Sequence, residues 1–124
     1  MGQTTVPATF VGTVSRASVD RALLDTGAVH SQITQEIANT IGVIDLGWSE
    51  PIPLFGGERR PLHFVAIPGV VLFGRDTHDY GLGFVFAALG DIPIIGAEVM
   101  EQLGVEVAPA KRTARVSASR LKKP

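Results

Sequence analysis

The chain is 124 residues long, 45 % hydrophobic and 19 % charged, the size and balance of one globular domain with a core of its own. It has no cysteine, which excludes a disulfide scaffold and every thiolate metal or redox site, and its histidines, His30, His63 and His78, make no ligand pair at helical or finger spacing. The net charge of −1 conceals an asymmetry: residues 1–110 carry five arginines against twelve acids, whereas residues 111–124 carry six basic residues and no acid.

Fourteen glycines and eight prolines cut the chain into short segments, which favours strands and turns over long helices and predicts a mainly β domain. Val6, Ala8, Phe10 and Gly12 alternate with more polar neighbours and predict a strand. Val19–Leu24 follows after a turn near residues 15–18, suggesting a hairpin. Ile33, Ile37, Ala38 and Ile41 recur at helical spacing, with Ser31 able to cap the start and Gly42 to close the end, so a helix of about ten residues is expected. Leu54 to Gly57 reads as a turn between two extended stretches, with Leu62, Phe64 and Ala66 alternating on the return. Val70–Phe73 and Gly83–Leu89 read as buried strands on either side of a polar loop. Val99, Met100 and Leu103 suit a short helix closed by Gly104, with a strand over Val105–Val107 after it.

Residues 111–124 interleave Arg and Lys with Ala and Ser and show no sustained apolar face. They are expected to form a solvated, flexible basic tail after a domain spanning 1–110, so that deleting them leaves folding nearly unchanged. The alternative use of such a tail is an electrostatic foothold on nucleic acid or an acidic partner. The longest apolar runs, such as Phe84–Leu89, are too short to span a bilayer, and the first residues lack a basic start followed by an apolar stretch. A cytoplasmic protein that does not engage membranes is expected.

One pattern occurs twice. Leu23-Leu24-Asp25-Thr26-Gly27-Ala28 leads to a helical pattern ending Ile41-Gly42-Val43, and Ile94-Ile95-Gly96-Ala97 leads to a shorter one ending Leu103-Gly104-Val105. Only the first copy has the Asp and the Thr, so any carboxylate chemistry belongs there. Asp25 follows an apolar strand, and such a carboxylate is costly to hold unless hydrogen-bonded. Thr26 offers a local hydroxyl, Gly27 allows close approach, and Ala28 keeps the space above the carboxylate small. The plain alternative is an Asp turn whose side chain accepts backbone amides at a strand end.

At these residues the sequence resembles the retropepsin-like aspartic proteases, the single-domain family of retroviral proteases and their cellular and bacterial relatives. The likeness runs from about Val6 to Val107: Ala22-Leu23-Leu24-Asp25-Thr26-Gly27-Ala28, a glycine-tipped hairpin, then Ile94-Ile95-Gly96 with a closing helix and strand. It implies a closed β-barrel with a flap hairpin and one or two short helices, paired into a two-fold homodimer, and an aspartic endopeptidase without a cofactor. By the same resemblance Asp25 is catalytic, Thr26 locks the two loops across the dimer, and the Gly27 carbonyl helps hold substrate. The flap would run from about Ile52 to Phe64, with Phe55, Gly56, Gly57 and Glu58 at or near its tip. Terminal strands interleave into the family's interface sheet, and Met1–Val6 and Val105–Val107 are the candidates here. Val29 departs from the pattern, standing where some retroviral members carry a second acid that grips the substrate backbone. The helix expected after the motif is also longer than in the viral enzymes.

Chemistry asks for a partner as well. Aspartic proteolysis needs two adjacent carboxylates sharing one proton, because like charges that close cannot both ionise. Asp20, Asp45, Asp76, Asp79 and Asp91 all lie in poor contexts, so a second Asp25 across a two-fold axis is the natural source. Ile52, Leu54, Phe55 and Ile94 are candidate substrate contacts in the flap and cleft, or simply core. His30 follows the motif and is read as a capping or surface histidine, with contact to substrate as its alternative. A peptide-binding or dimerisation module that keeps the fold and hydrolyses little is the second functional reading.

Overall fold

A computed structural model describes residues 3–53, 58–108 and 113–117. The first hairpin pairs β1 (Thr5–Val11) with β2 (Arg16–Leu24), Val6 opposite Ala22 and Phe10 opposite Ala17. Alternation in β1 buries Val6, Ala8 and Phe10. The register slips between Val6 and Ala8, where Pro7 has no amide to give the ladder. The last three residues of β2, Ala22, Leu23 and Leu24, are all buried, so this strand carries the chain through the core before it reaches Asp25.

The helix expected from Ser31 starts four residues later. Ser31–Thr34 form β3, paired in parallel with β8 (Val85–Gly90), and α1 covers only Gln35–Ile41. The Ser31 hydroxyl is committed elsewhere, accepting the Gly96 amide at 3.0 Å. Thr34 is the cap instead, its Oγ1 accepting the Ile37 amide at 3.1 Å. Gly42 closes the helix at φ +80°, as its sequence position suggests.

β4 (Ile44–Pro53) and β5 (Arg59–Ile67) form a long antiparallel hairpin, irregular between Asp45 and Ser49. It contains both arms of the expected flap. Leu54, Phe55, Gly56 and Gly57 lie outside the described residues. After β6 (Gly69–Leu72), the expected polar loop contains a two-residue strand, β7 (Arg75–Asp76), and a 3-10 turn over Thr77–Tyr80. β9 (Ile94–Ile95), α2 (Ala97–Leu103) and β10 (Val105–Ala108) follow.

Nine strands form one sheet in the order β4-β5-β8-β3-β9-β2-β1-β6-β7. The closed barrel expected from the sequence is corrected by this order: β4 and β7 remain as two edges, and two-residue β7 offers too few backbone groups to zip along a ten-residue partner. The main core gathers Phe10, Ile33, Ile41, Ile67, Leu72, Ile95 and Leu103, each at most 1 % exposed. A smaller cluster joins Leu62 and Phe64 of β5 to Ala88 of β8.

Of the C-terminal segment the structure describes residues 113–117, and these differ from the solvated tail expected. Thr113–Val116 form β11, antiparallel to β10, and Ala114 and Val116 pack against the main core. Their apolar pair, two apart, makes a strand face too short to read among the basic residues. The Arg75 guanidinium holds this edge, donating to the Leu103 carbonyl at 2.8 Å and the Ser117 carbonyl at 2.9 Å, with the Tyr80 ring 5.4 Å away. Val105–Val107, a candidate for an interface sheet, is thus paired along one side within its own chain. No helix among the described residues is long and apolar enough to cross a membrane.

Candidate active site

The two copies of the repeated pattern lie side by side. β2 and β9 pair in parallel, Leu23 with Ile94 and Leu24 with Ile95, and the Asp25 amide donates to the Ile95 carbonyl at 3.0 Å. Asp25 therefore stands where a strand buried among apolar residues ends, fixed from the side by the second copy. Its Oδ1 accepts the Gly27 amide at 2.9 Å, and its carbonyl accepts the Ala28 amide at 3.2 Å. The side chain is half-buried, and Thr26 and Gly27 are exposed on the rim.

The rest of the loop is anchored by the start of α2. Ala97 and Glu98 donate their amides to the Ala28 and Val29 carbonyls at 2.6 and 3.1 Å. Gly96 is the contact point: a Cβ there would meet the His30 carbonyl oxygen at 2.5 Å and the Val29 carbonyl oxygen at 2.8 Å. The glycine that replaces Asp in the second copy is needed for packing against the first.

A cavity of about 500 Å³ opens beside Asp25, lined on the loop side by Gly27, Ala28, Val29 and His30 and on the hairpin side by Glu50, Ile52 and Phe64. Ser31, Gln32, Ala88 and Ile94 complete its wall. Of the expected site residues, Asp25, Gly27, Ala28, Ile52 and Ile94 come together here. Thr26 does not line the cavity, and Leu54, Phe55, Gly56 and Gly57 lie outside the described residues.

Glu50, Phe64, Gln32 and Ala88 were not singled out by sequence. Glu50 and Ile52 lie two apart on β4, so the alternation that put Ile52 near the cleft carried Glu50 with it. Gln32 is buried, its amide donating to the Ile92 carbonyl at 3.0 Å. His30 is neither a cap nor a free surface residue. Its ring is edge-on to Phe64 at 5.5 Å and to Phe86 at 6.0 Å, and its Nδ1 is shielded from water without a hydrogen-bond partner. The sequence does not bring these rings together, because 34 residues separate His30 from Phe64.

No protein-family model matches the chain, and no curated protein is significantly similar to it. Solved structures do resemble it. A retropepsin-like aspartic protease from Rickettsia conorii is 21 % identical, with a TM-score of 0.54 over 86 % of this chain and 76 % of that one. The EIAV protease in complex with the inhibitor HBY-793 is 19 % identical, with a TM-score of 0.56 over 86 % and 93 % of the two chains. The retroviral protease-like domain of Ddi1 from Leishmania major is 16 % identical, with a TM-score of 0.60 over 95 % and 90 %. The chain has a retropepsin-like fold, as the resemblance at Asp25-Thr26-Gly27 and Ile94-Ile95-Gly96 implied.

Proposed function

We propose that this protein is an aspartic endopeptidase that acts as a homodimer, each copy supplying one Asp25 to a shared pair of carboxylates. The observation that carries the reading is Asp25 itself: a half-buried carboxylate lining a largely apolar cleft, braced through its own amide by the second copy of the motif. Among the described residues the one other carboxylate lining that cavity is Glu50, which comes from the hairpin and accepts the Trp48 indole N–H at 2.9 Å. A second Asp25 is therefore the better partner for the first.

In this mechanism the ionised carboxylate takes a proton from a water molecule lying between the two side chains. The water oxygen attacks the scissile carbonyl carbon while the protonated carboxylate gives its proton to the carbonyl oxygen. Collapse of the resulting diol expels the amine, which takes up a proton from the dyad. Thr26, exposed beside Asp25, would hold the two loops together across the axis, and the Gly27 carbonyl would receive a substrate amide. The β4–β5 hairpin would close over an extended peptide as a flap, excluding water from the cut bond.

Incubating the chain with a peptide library at acid and neutral pH tests the reading. Cleavage that disappears in Asp25→Asn is the expected result, and full cleavage by that variant overturns the assignment. A catalytically weak peptide-binding module of the same fold is the reading that remains if neither form cleaves.

A further inference from the structure

The cavity beside Asp25 has an uneven chemistry. Its walls are mostly apolar, from Ala28, Val29, Ile52, Phe64, Ala88 and Ile94, yet the charged side chains among its described lining residues are both acidic, Asp25 and Glu50. If Asp25 serves the reaction, Glu50 is a carboxylate with no catalytic task, set in the wall of a site that extended peptides would occupy.

Glu50 is held in place by an aromatic cluster. The Trp48 indole N–H donates to its Oε2 at 2.9 Å. The same indole stacks on Phe64 at 5.7 Å and 22°, and meets Phe86 edge-on at 6.2 Å. His30 closes the ring of contacts against both phenylalanines. Trp48 is nevertheless 40 % exposed and Phe86 37 %, so the cluster is continuous with the cavity through Phe64 and His30 and open to solvent beyond it. The arginines on the facing strand are bonded elsewhere: Arg59 donates to the Pro51 carbonyl and Arg60 pairs with Asp91 at 3.1 Å.

An apolar trough ending in a carboxylate beside aromatic faces matches one kind of side chain. A long aliphatic stem lies along apolar walls while its cationic end reaches a carboxylate, and aromatic faces add attraction for that cation. We propose that this cavity is a specificity subsite for an arginine or lysine side chain of the substrate peptide, with Glu50 as the anchoring group. The proposal rests on the cleft's binding peptide, and it sets the substrate class as basic and excludes acidic side chains at that position by like-charge repulsion.

Trp48 is the chain's sole tryptophan, and its hydrogen bond to Glu50 makes its emission a reporter on the subsite. The Asp25→Asn chain is titrated with an octapeptide series carrying arginine, lysine, norleucine or glutamate at each position in turn, following Trp48 fluorescence. Arginine or lysine at one position should bind about tenfold tighter than norleucine there, the size of one charge-assisted hydrogen bond. In the same background Glu50→Gln, which keeps the shape and an acceptor for the indole, should bring that ratio to within about twofold. Glu50→Lys should turn the preference toward glutamate. A preference that survives Glu50→Gln, no basic preference at any position, or no binding at all overturns the subsite. The two readings fail separately: a Glu50-dependent basic preference in a chain whose wild type cleaves nothing sinks the endopeptidase and keeps the subsite. Cleavage without that preference does the reverse.

Discussion

The Cβ that Gly96 lacks would stand 2.5 Å from the carbonyl oxygen of His30. Backbone meets backbone at this point, so neither side can swing away as a flexible side chain would. Gly96→Ala should force the loop of residues 25–31 off the start of α2, breaking the Ala97 and Glu98 amide contacts. We expect a loss of about 1–3 kcal/mol, seen in urea or thermal unfolding, and a larger proportional loss of peptide cleavage than of stability. An Ala variant with wild-type stability would show that the two motif copies do not brace each other.

If both catalytic carboxylates are copies of Asp25, activity should fall steeply on dilution, faster than enzyme concentration itself. Sedimentation at the assay concentrations should show the dimer dissociating over the same range. A monomer that still cleaves would require a second carboxylate from within one chain.

A dyad that shares one proton works only when singly protonated. The rate of cleavage should therefore be bell-shaped in pH, with its maximum on the acid side of neutrality. Asp25→Asn should abolish cleavage and leave the dimer intact, since removing two facing carboxylates relieves repulsion at the axis. A pH-independent rate would contradict the shared proton.

Arg75 ties the β10–β11 hairpin to the body of the fold through two carbonyls. Arg75→Ala should lower stability by about 2 kcal/mol, and Arg75→Lys should recover little because an ammonium cannot fork between Leu103 and Ser117. Truncation after Ala110 should destabilise comparably or more, since it also uncovers the core beneath Ala114 and Val116. Thermal unfolding of the three variants checks this, and an unchanged midpoint for the truncation would restore the view of residues 111–124 as a solvated tail.

Asp45 adds a pH-dependent contribution at the base of the hairpin. The Gly47 amide at 2.7 Å, and then His63 Nε2 at 2.6 Å, hold its carboxyl below the ordinary 3.8. A lowered native value means the folded chain binds fewer protons than the unfolded one. The stabilisation is thus complete above pH 3.8 and is lost as pH falls through the native value. Asp45→Asn should unfold less steeply with acid over that range than wild type, measured by urea midpoints. Equal acid slopes would mean that Asp45 makes no such contribution.

Much of this fold was legible because its information is local. Alternation found β1 and the return arm of the hairpin, and helix caps found the ends at Gly42 and Gly104. The apolar pair before Asp25 and its echo at Ile94-Ile95 marked the two strands that prove to be neighbours. What failed was non-local. Ser31 looks like a helix cap until its hydroxyl is seen on Gly96, 65 residues away. Closure of the sheet depends on which edges meet, which no residue pattern encodes. His30 found its aromatic neighbours, and Glu50 its place in the same cavity as Asp25, only through pairing between distant strands. The site was therefore half legible: the motif marks the Asp25 loop, and the fold supplies the walls of the cavity beside it.

The bracing of the Asp25 loop by residues 94–98 has a consequence in time as well as in space. The contacts that brace the loop from the second motif copy reach across about 65 residues or more, and such long closures form late in folding. During vectorial synthesis Asp25-Thr26-Gly27 is made long before Ile95 and Gly96 exist, so the nascent chain carries this motif unbraced. The loop at Asp25 therefore takes its braced geometry only once residues 94–98 have been made and have docked against it.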